Sequence, residues 1–168
     1  MHDIPTLATD RLILRAPRDA DFSAYWDFYK DAEASKFYGG PKSELETWNR
    51  LASDLGHWYL RGFGLWVLER QEDGQVVGVC GLVWPSGWPR SELTWWIANN
   101  SRRKGYAKEA SRAAIRFGYQ QLNWDLVQTH MKDENVAAKT LVMSLGGTQI
   151  GRETFPDGID RDIYRLPE

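Results

Sequence analysis

The chain of 168 residues has a single cysteine, Cys80, and three histidines. One cysteine excludes an internal disulfide and any cysteine-rich metal site. His2, His57 and His130 stand at no metal-ligand spacing, so no metal is expected. No stretch approaches the ~20 consecutive apolar residues that cross a bilayer, so no membrane partner is expected. Met1 to Asp10 has no basic-then-apolar pattern, which argues against a signal peptide and for the cytoplasm. Neither sign of charge dominates: 21 basic residues face 23 acidic ones, for a net charge of −2. That balance argues against nucleic acid as a partner. Internal repeats, low-complexity tracts and linkers are all missing. The chain therefore reads as one domain, residues 1–168, of ordinary globular composition.

Aromatic side chains are abundant, with nine tryptophans among them. Two readings fit this richness: a core built on aromatic rings, or a pocket lined with them. The periodicity alternates between strand and helix. Arg11–Arg15 predicts a strand ended by Pro17. Asp19 then suits the N-cap of a helix with Phe22, Tyr25, Trp26 and Tyr29 on its apolar face. Ser43 and Glu46 form a capping-box pattern before a second helix. Its apolar positions are Trp48, Leu51, Ala52, Leu55, Trp58 and Tyr59. Leu65–Glu69, Val76–Val83 and Ser91–Ile97 predict three strands, the first two joined at Asp73-Gly74. Cys80 lies in one of these apolar strands and reads as a buried small hydrophobe. Ala107, Ala110, Ala114 and Phe117 mark a helix with a small-residue side. Leu126–Met131 predicts another strand. Asn135 opens a last helix, with Ala138, Leu141, Val142 and Leu145 inward and Gly146-Gly147 as its stop. Thr148–Arg152 and Asp162–Leu166 predict a closing hairpin. Seven strands and four helices in this order predict a mixed α/β sheet flanked by helices.

One segment carries a chemical signal. Arg102-Arg103-Lys104-Gly105-Tyr106-Ala107-Lys108 lies between a predicted strand and a predicted helix. Four of its seven residues are basic in a chain that is acidic overall. A helix N-terminus has unpaired N–H groups and the positive end of a dipole, so it attracts phosphate. Gly105 lets a ligand approach the backbone, and Ala107 keeps the floor low. The segment reads either as a pyrophosphate cradle or as a solvated basic helix start. No G-x-x-x-x-G-K-[ST] stretch is present, and no G-x-G-x-x-G follows a strand, so the common nucleotide loops are excluded.

The remaining pattern, Arg102-x-x-Gly105-x-Ala107, resembles the acetyl-CoA signature of the GNAT acetyltransferases, [RQ]-x-x-G-x-[GA]. Gly105-Tyr106-Ala107-Lys108-Glu109-Ala110 is similar to the G-Y-A-x-E-A run of the RimJ/RimL-like branch. Glu92 to Ile97 resembles the family strand before it. Thr9 to Arg15 is similar to the branch's opening strand, and Asn135 to Gly147 to its later helix. The resemblance spans nearly the whole chain. It implies a twisted, mostly antiparallel mixed sheet of six to seven strands with about four helices, splayed between the fourth and fifth strands. It also implies acetyl transfer from acetyl-CoA to a primary amine, without a covalent intermediate. The acceptor would be a small molecule or a protein N-terminus, and the protein a monomer or homodimer.

The resemblance further implies that Arg102, Arg103, Lys104, Gly105, Tyr106, Ala107 and Lys108 hold the pyrophosphate. Trp96 and Ile97 would border the pantetheine arm, and Asn135 would complete the cofactor site. Glu92 is the candidate base; it reads otherwise as a surface acid or an ion-pair partner. Ala138 and Val142 stand where many members carry a Ser or Tyr that protonates the leaving thiolate. That departure leaves a second reading open, a catalytically degenerate module that binds acyl-CoA as a sensor. Ser144 and Tyr106 are the nearest hydroxyls in sequence. Tyr38, Trp84 and Trp88 lie in loops expected to face the acceptor. His57 reads as structural or as a pocket wall.

Overall fold

The structure is a computed structural model and describes residues 3–168; the expectations for Met1 and His2 fall outside the described residues. Eight strands and five α-helices follow in the order β1 (Leu7–Ala8), β2 (Leu12–Arg15), α1 (Phe22–Tyr29), α2 (Ala32–Ser35), α3 (Glu44–Arg61), β3 (Leu65–Arg70), β4 (Val76–Val83), β5 (Glu92–Ile97), α4 (Tyr106–Gln120), β6 (Val127–Met131), α5 (Val136–Ser144), β7 (Thr148–Thr154) and β8 (Asp160–Leu166) among the described residues. The predicted mixed α/β architecture is present. β1 and α2 are additions to it, each too short to leave a periodic signal. The strands form a five-stranded sheet, β1-β2-β3-β4-β5, and a three-stranded sheet, β6-β8-β7.

The break between the sheets lies between β5 and β6, which are the fourth and fifth strands of the sequence reading. Side chains tie the two strands at one end: Thr129 Oγ1 donates to Leu93 O at 2.8 Å, and Gln128 Nε2 to Ser91 Oγ at 3.4 Å. These contacts run in step along both strands. The strands therefore point the same way, as a helical crossover between neighbours requires. Every hydrogen-bonded strand pair is antiparallel. Beyond Leu93 the edge of β5 that faces β6 has no ladder partner among the described residues.

The core is divided by the five-stranded sheet. On one face α4 packs through Ala110, Ala113, Ala114 and Gly118, and small residues let its axis lie close. A Cβ on Gly118 would come within 2.8 Å of Val127 Cγ2 and 3.0 Å of Leu82 Cδ1. Cys80 is fully buried on this face, where burial pushes its thiol up to about 12, an inert position. On the other face Tyr25, Phe28 and Tyr29 of α1 enclose Trp96, with Phe28 stacked on the indole at 4.3 Å. The aromatic richness thus builds the core here, and Trp88 shows below that it also reaches the cleft.

Two helix faces differ from the periodic reading. α1 buries Phe28 rather than Phe22 and Trp26, which stay half-buried. α3 buries Thr47, Leu51, Asp54 and Trp58, while Trp48 and Tyr59 remain about half exposed. Polar residues occupy the inward stripe because each finds a partner: Thr47 donates to Ser43 O, and Asp54 accepts from Tyr25. The Ser43–Glu46 capping box is present in both directions. Asp19 is not the cap of α1; a 3-10 turn over Asp19–Asp21 precedes that helix. Asp21 instead accepts two bonds from the buried Arg15 guanidinium, at 3.0 and 2.8 Å, and Arg15 Nε bonds Glu69 at 2.5 Å. Removing the Asp21 charge leaves the buried Arg15 guanidinium with Glu69 as its remaining carboxylate partner. Asp21→Asn should cost about 1–3 kcal/mol in urea unfolding. A cost under about 1 kcal/mol would show that the pair is solvated.

Candidate active site

The basic segment forms a tight turn between β5 and α4. Arg103 and Gly105 both have left-handed backbones, with φ of 60° and 83°. Gly105 is the N-cap of α4, and no side chain caps its first amides. Those N–H groups are available to a ligand. Arg102, Arg103, Lys104 and Gly105 are exposed, while Ala107 and Lys108 are half-buried. Tyr106 is buried beneath the Arg11 guanidinium, 4.6 Å from its ring. Arg102 Nε lies 3.3 Å from Ile97 O.

Glu109 braces this turn. Its carboxylate accepts from Thr9 Oγ1 at 2.6 Å, from Arg11 N at 2.7 Å and from Arg11 Nε at 2.7 Å. Arg11 Nη1 also donates to Lys104 O at 2.8 Å. Partial burial would raise the Glu109 carboxyl, but these donors outweigh it and hold it below the ordinary value. The opening strand is thereby tied to the first turn of α4, which gives the Thr9–Arg15 motif a physical task.

A cleft of about 450 Å³ opens where β5 and β6 part, walled by α3 and the loop after β4. Alternation along the strands places Glu92 and His130 on its side of the sheet. Desolvation dominates the Glu92 carboxyl and pushes it up to about 7, against the opposing pull of Arg50 and Arg161. His130 Nε2 lies 3.3 Å from Glu92 Oε2. Burial first, then Arg161 and Arg90, push the imidazole down to about 3, so it is neutral. Asp54 is also buried at the cleft; desolvation raises it, partly offset by Arg50 at 2.9 Å and the Tyr25 hydroxyl.

Trp88 lines the cleft, 5.3 Å from the Phe155 ring and 6.3 Å from His130. Trp84 is turned outward, with its indole N–H closing the loop onto Trp88 O at 2.9 Å. Tyr38 also lines the cleft; burial keeps its phenol protonated. His57 accepts from Trp84 N at 3.0 Å through Nε2, and Nδ1 bonds Phe63 O at 2.6 Å. It both anchors the loop and lines the wall. The Trp96 side chain points away into the aromatic core, so only its backbone borders the splay. Asn135 lines the cleft, and its side chain caps α5 through Ala138 N. Ala138 lies on the cleft wall and Val142 is fully buried. Ser144 bonds Leu141 O on the exposed side of α5, and neither it nor Tyr106 reaches the cleft.

His130, Asp54, Arg50 and Arg161 carried no signal in the sequence. They come from β6, α3 and β8, and only the fold gathers them. Among the described residues no group of three or more His, Cys, Asp or Glu is placed to hold a metal ion, and no helix is long and apolar enough to cross a membrane.

The family described as acetyltransferase (GNAT) domain matches residues 11–148. The chain belongs to the GNAT acetyltransferases. A crystal structure of an acetyltransferase from Agrobacterium tumefaciens superposes with a TM-score of 0.89 at 30% identity, covering 100% of this chain and 97% of that one. The uncharacterized N-acetyltransferase YoaA of Bacillus subtilis is 26% identical over 145 residues, 84% of this chain and 82% of its own. A ribosomal-protein-S5-alanine acetyltransferase from Vibrio fischeri shares the fold at 12% identity, with a TM-score of 0.72 and 96% of each chain covered. In this acetyltransferase, then, the glycine turn and the splay cleft are the two candidate parts of the site.

Proposed function

We propose that the protein transfers acetyl from acetyl-CoA to a primary amine by direct attack, with residues 1–168 acting as one catalytic domain. The observation that carries this reading is Glu92, a half-buried carboxyl that lines the cleft beside the edge of β5 facing β6, where desolvation pushes it up to about 7. A lysine-like amine has a pKa of ~10.4 and an α-amine ~7.7–8.0. A carboxyl near 7 accepts an ammonium proton far better than one at ~4.3. The base form exists above about 7, so kcat should rise with pH through that value.

The rest of the assignment follows the geometry. The amides of Arg103 to Lys108 receive the pyrophosphate, and the basic side chains of Arg102, Arg103 and Lys104 add charge. The uncapped N-terminus fits this group: above Gly105 a Cβ would meet only Arg11 Nη2, at 3.3 Å. The pantetheine arm lies along β5 with the backbone of Trp96 and Ile97. Asn135 shapes that side through its cap. Acetyl-CoA supplies the activated acetyl group. With Ala138 and Val142 in place of a hydroxyl donor, water protonates the thiolate, whose thiol has a pKa near ~8.5.

The acceptor is a small amine or a protein N-terminus, as the RimJ/RimL-like motifs favour, and Tyr38 and Trp88 shape its choice. Trp88→Ala should raise the acceptor KM about tenfold, the worth of one aromatic contact, and leave the acetyl-CoA KM within about twofold. The reverse pattern would move this loop to the cofactor side. An amine panel with thiol detection tests the whole reading. Tight CoA binding with no thiol release from any amine would favour the acyl-CoA sensor, for which Ala138 and Val142 speak.

A further inference from the structure

Two strands part at the cleft, and each brings one proton-handling side chain to the same face. His130 Nε2 is 3.3 Å from Glu92 Oε2, yet it is buried with no hydrogen bond of good angle. An unpaired buried N–H costs about 1–3 kcal/mol, so native structures seldom leave one. Aromatic rings hold the imidazole in place. Phe155 packs against it at 4.4 Å, and Trp88 closes the next side. A small turn of the Glu92 carboxyl, already 3.3 Å away, completes the bond.

We propose that His130 is a positioning residue for Glu92: its Nε2–H donates to Oε2 and so presents Oε1 to the acceptor amine. This rests on the transferase reading above. The charges around the pair fit a neutral donor. Arg161 and Asp157 face it from the β7–β8 hairpin, and Arg90 from the segment before β5. Arg50 and Asp54 face it from α3, and the Tyr38 phenol from the loop before α3. Asp157 binds Arg161 through both oxygens, Glu153 binds Arg90, and Asp54 pairs with Arg50. An imidazolium would be repelled by these guanidinium groups; a neutral ring keeps one proton to donate.

The proton count closes without charging His130. Glu92 Oε1 takes one proton from the acceptor ammonium. The freed lone pair attacks the thioester carbon, the C–S bond breaks, and sulfur leaves as thiolate. The new amide nitrogen loses its extra proton, which water carries to the sulfur. Glu92 then releases its proton to solvent.

Carboxyl 13C NMR on protein labelled at glutamate tests the contact without any substrate. Loss of a donor to the carboxylate should move the Glu92 midpoint up by about one pH unit in His130→Phe. His130→Gln, which keeps an N–H in reach, should bring it back toward wild type. In turnover assays the acid limb of kcat should shift equally in the Phe variant, kcat should fall about tenfold, and the CoA Kd should hold. An unmoved Glu92 midpoint in folded His130→Phe overturns the proposal. Imidazole 15N NMR of the wild type covers a variant that does not fold: a bare Nε2, with the proton on Nδ1, overturns it as well. Should wild type release no CoA with any amine while the midpoint still shifts, the transferase reading falls and the Glu92–His130 contact stands.

Discussion

Glu92→Gln should lower kcat by ~10²–10⁴-fold, the usual contribution of a general base. CoA affinity by calorimetry should stay nearly constant, because the residue lies in the cleft and not at the glycine turn. The loss should be larger for a lysine-like amine than for an α-amine, which is already partly neutral near pH 8. Raising the pH should partly rescue the variant, since solvent then removes the proton. The same substitution should stabilise the fold. A carboxyl raised from 4.5 to about 7 binds its proton more tightly in the folded state. Its contribution is full at low pH and is lost as pH rises through about 7. Above that value the half-buried charge costs up to about 3 kcal/mol, which the neutral amide avoids. Relative to wild type, the variant's Tm should climb between pH 5 and pH 8. Wild-type kcat on the true acceptor, or a Tm difference flat with pH, would remove Glu92 from its assigned place.

Gly105→Trp should abolish measurable CoA binding while the core stays folded. The position is exposed and caps α4 with φ of 83°, a backbone that L side chains adopt at a cost of about 1–2 kcal/mol. An indole there would lie over the free amides of the first turn. Gly105→Ala separates the two effects. It carries the same backbone strain and meets only Arg11 Nη2 at 3.3 Å, so its Tm should drop like that of the Trp variant. Its CoA affinity should fall far less. Equal affinities in wild type and a folded Trp variant would show that the ligand does not lie on this turn. The brace beneath gives a milder version. Without Glu109, Arg11 loses its partner at 2.7 Å and the turn its anchor to β2.

The glycine turn was legible because all its parts are adjacent in the chain. Gly105, its basic neighbours and the small-residue helix after them are a local pattern, and local backbone chemistry sets the helix start. Most of the strands from β2 to β8 were legible for the same reason, since a buried sheet demands alternation or an apolar run over a few residues; exposed β7 was legible only as the partner of β8 across a Pro-Asp-Gly turn. The faces of α1 and α3 were not. Hydrophobic periodicity points an amphipathic helix by its apolar residues, but α3 turns Thr47 and Asp54 inward. Hydrogen bonds to Ser43 and Tyr25 make that burial tolerable. The Thr47 bond is local to α3, but the Tyr25–Asp54 bond exists only once α1 and α3 have packed. Glu92 was nameable from the strand motif, yet its raised pKa was not, because desolvation is a property of everything around the carboxyl. His130 drew notice in the sequence only as a failed metal ligand. Its approach to Glu92 depends on two strands that leave a common origin and part, with 37 residues of chain between Glu92 and His130. Sequence alone determined the strands β2 to β8, the four longer helices, the glycine turn and the family. The tertiary structure alone decided which polar side chains share the cleft, because burial and proximity across a sheet have no local trace.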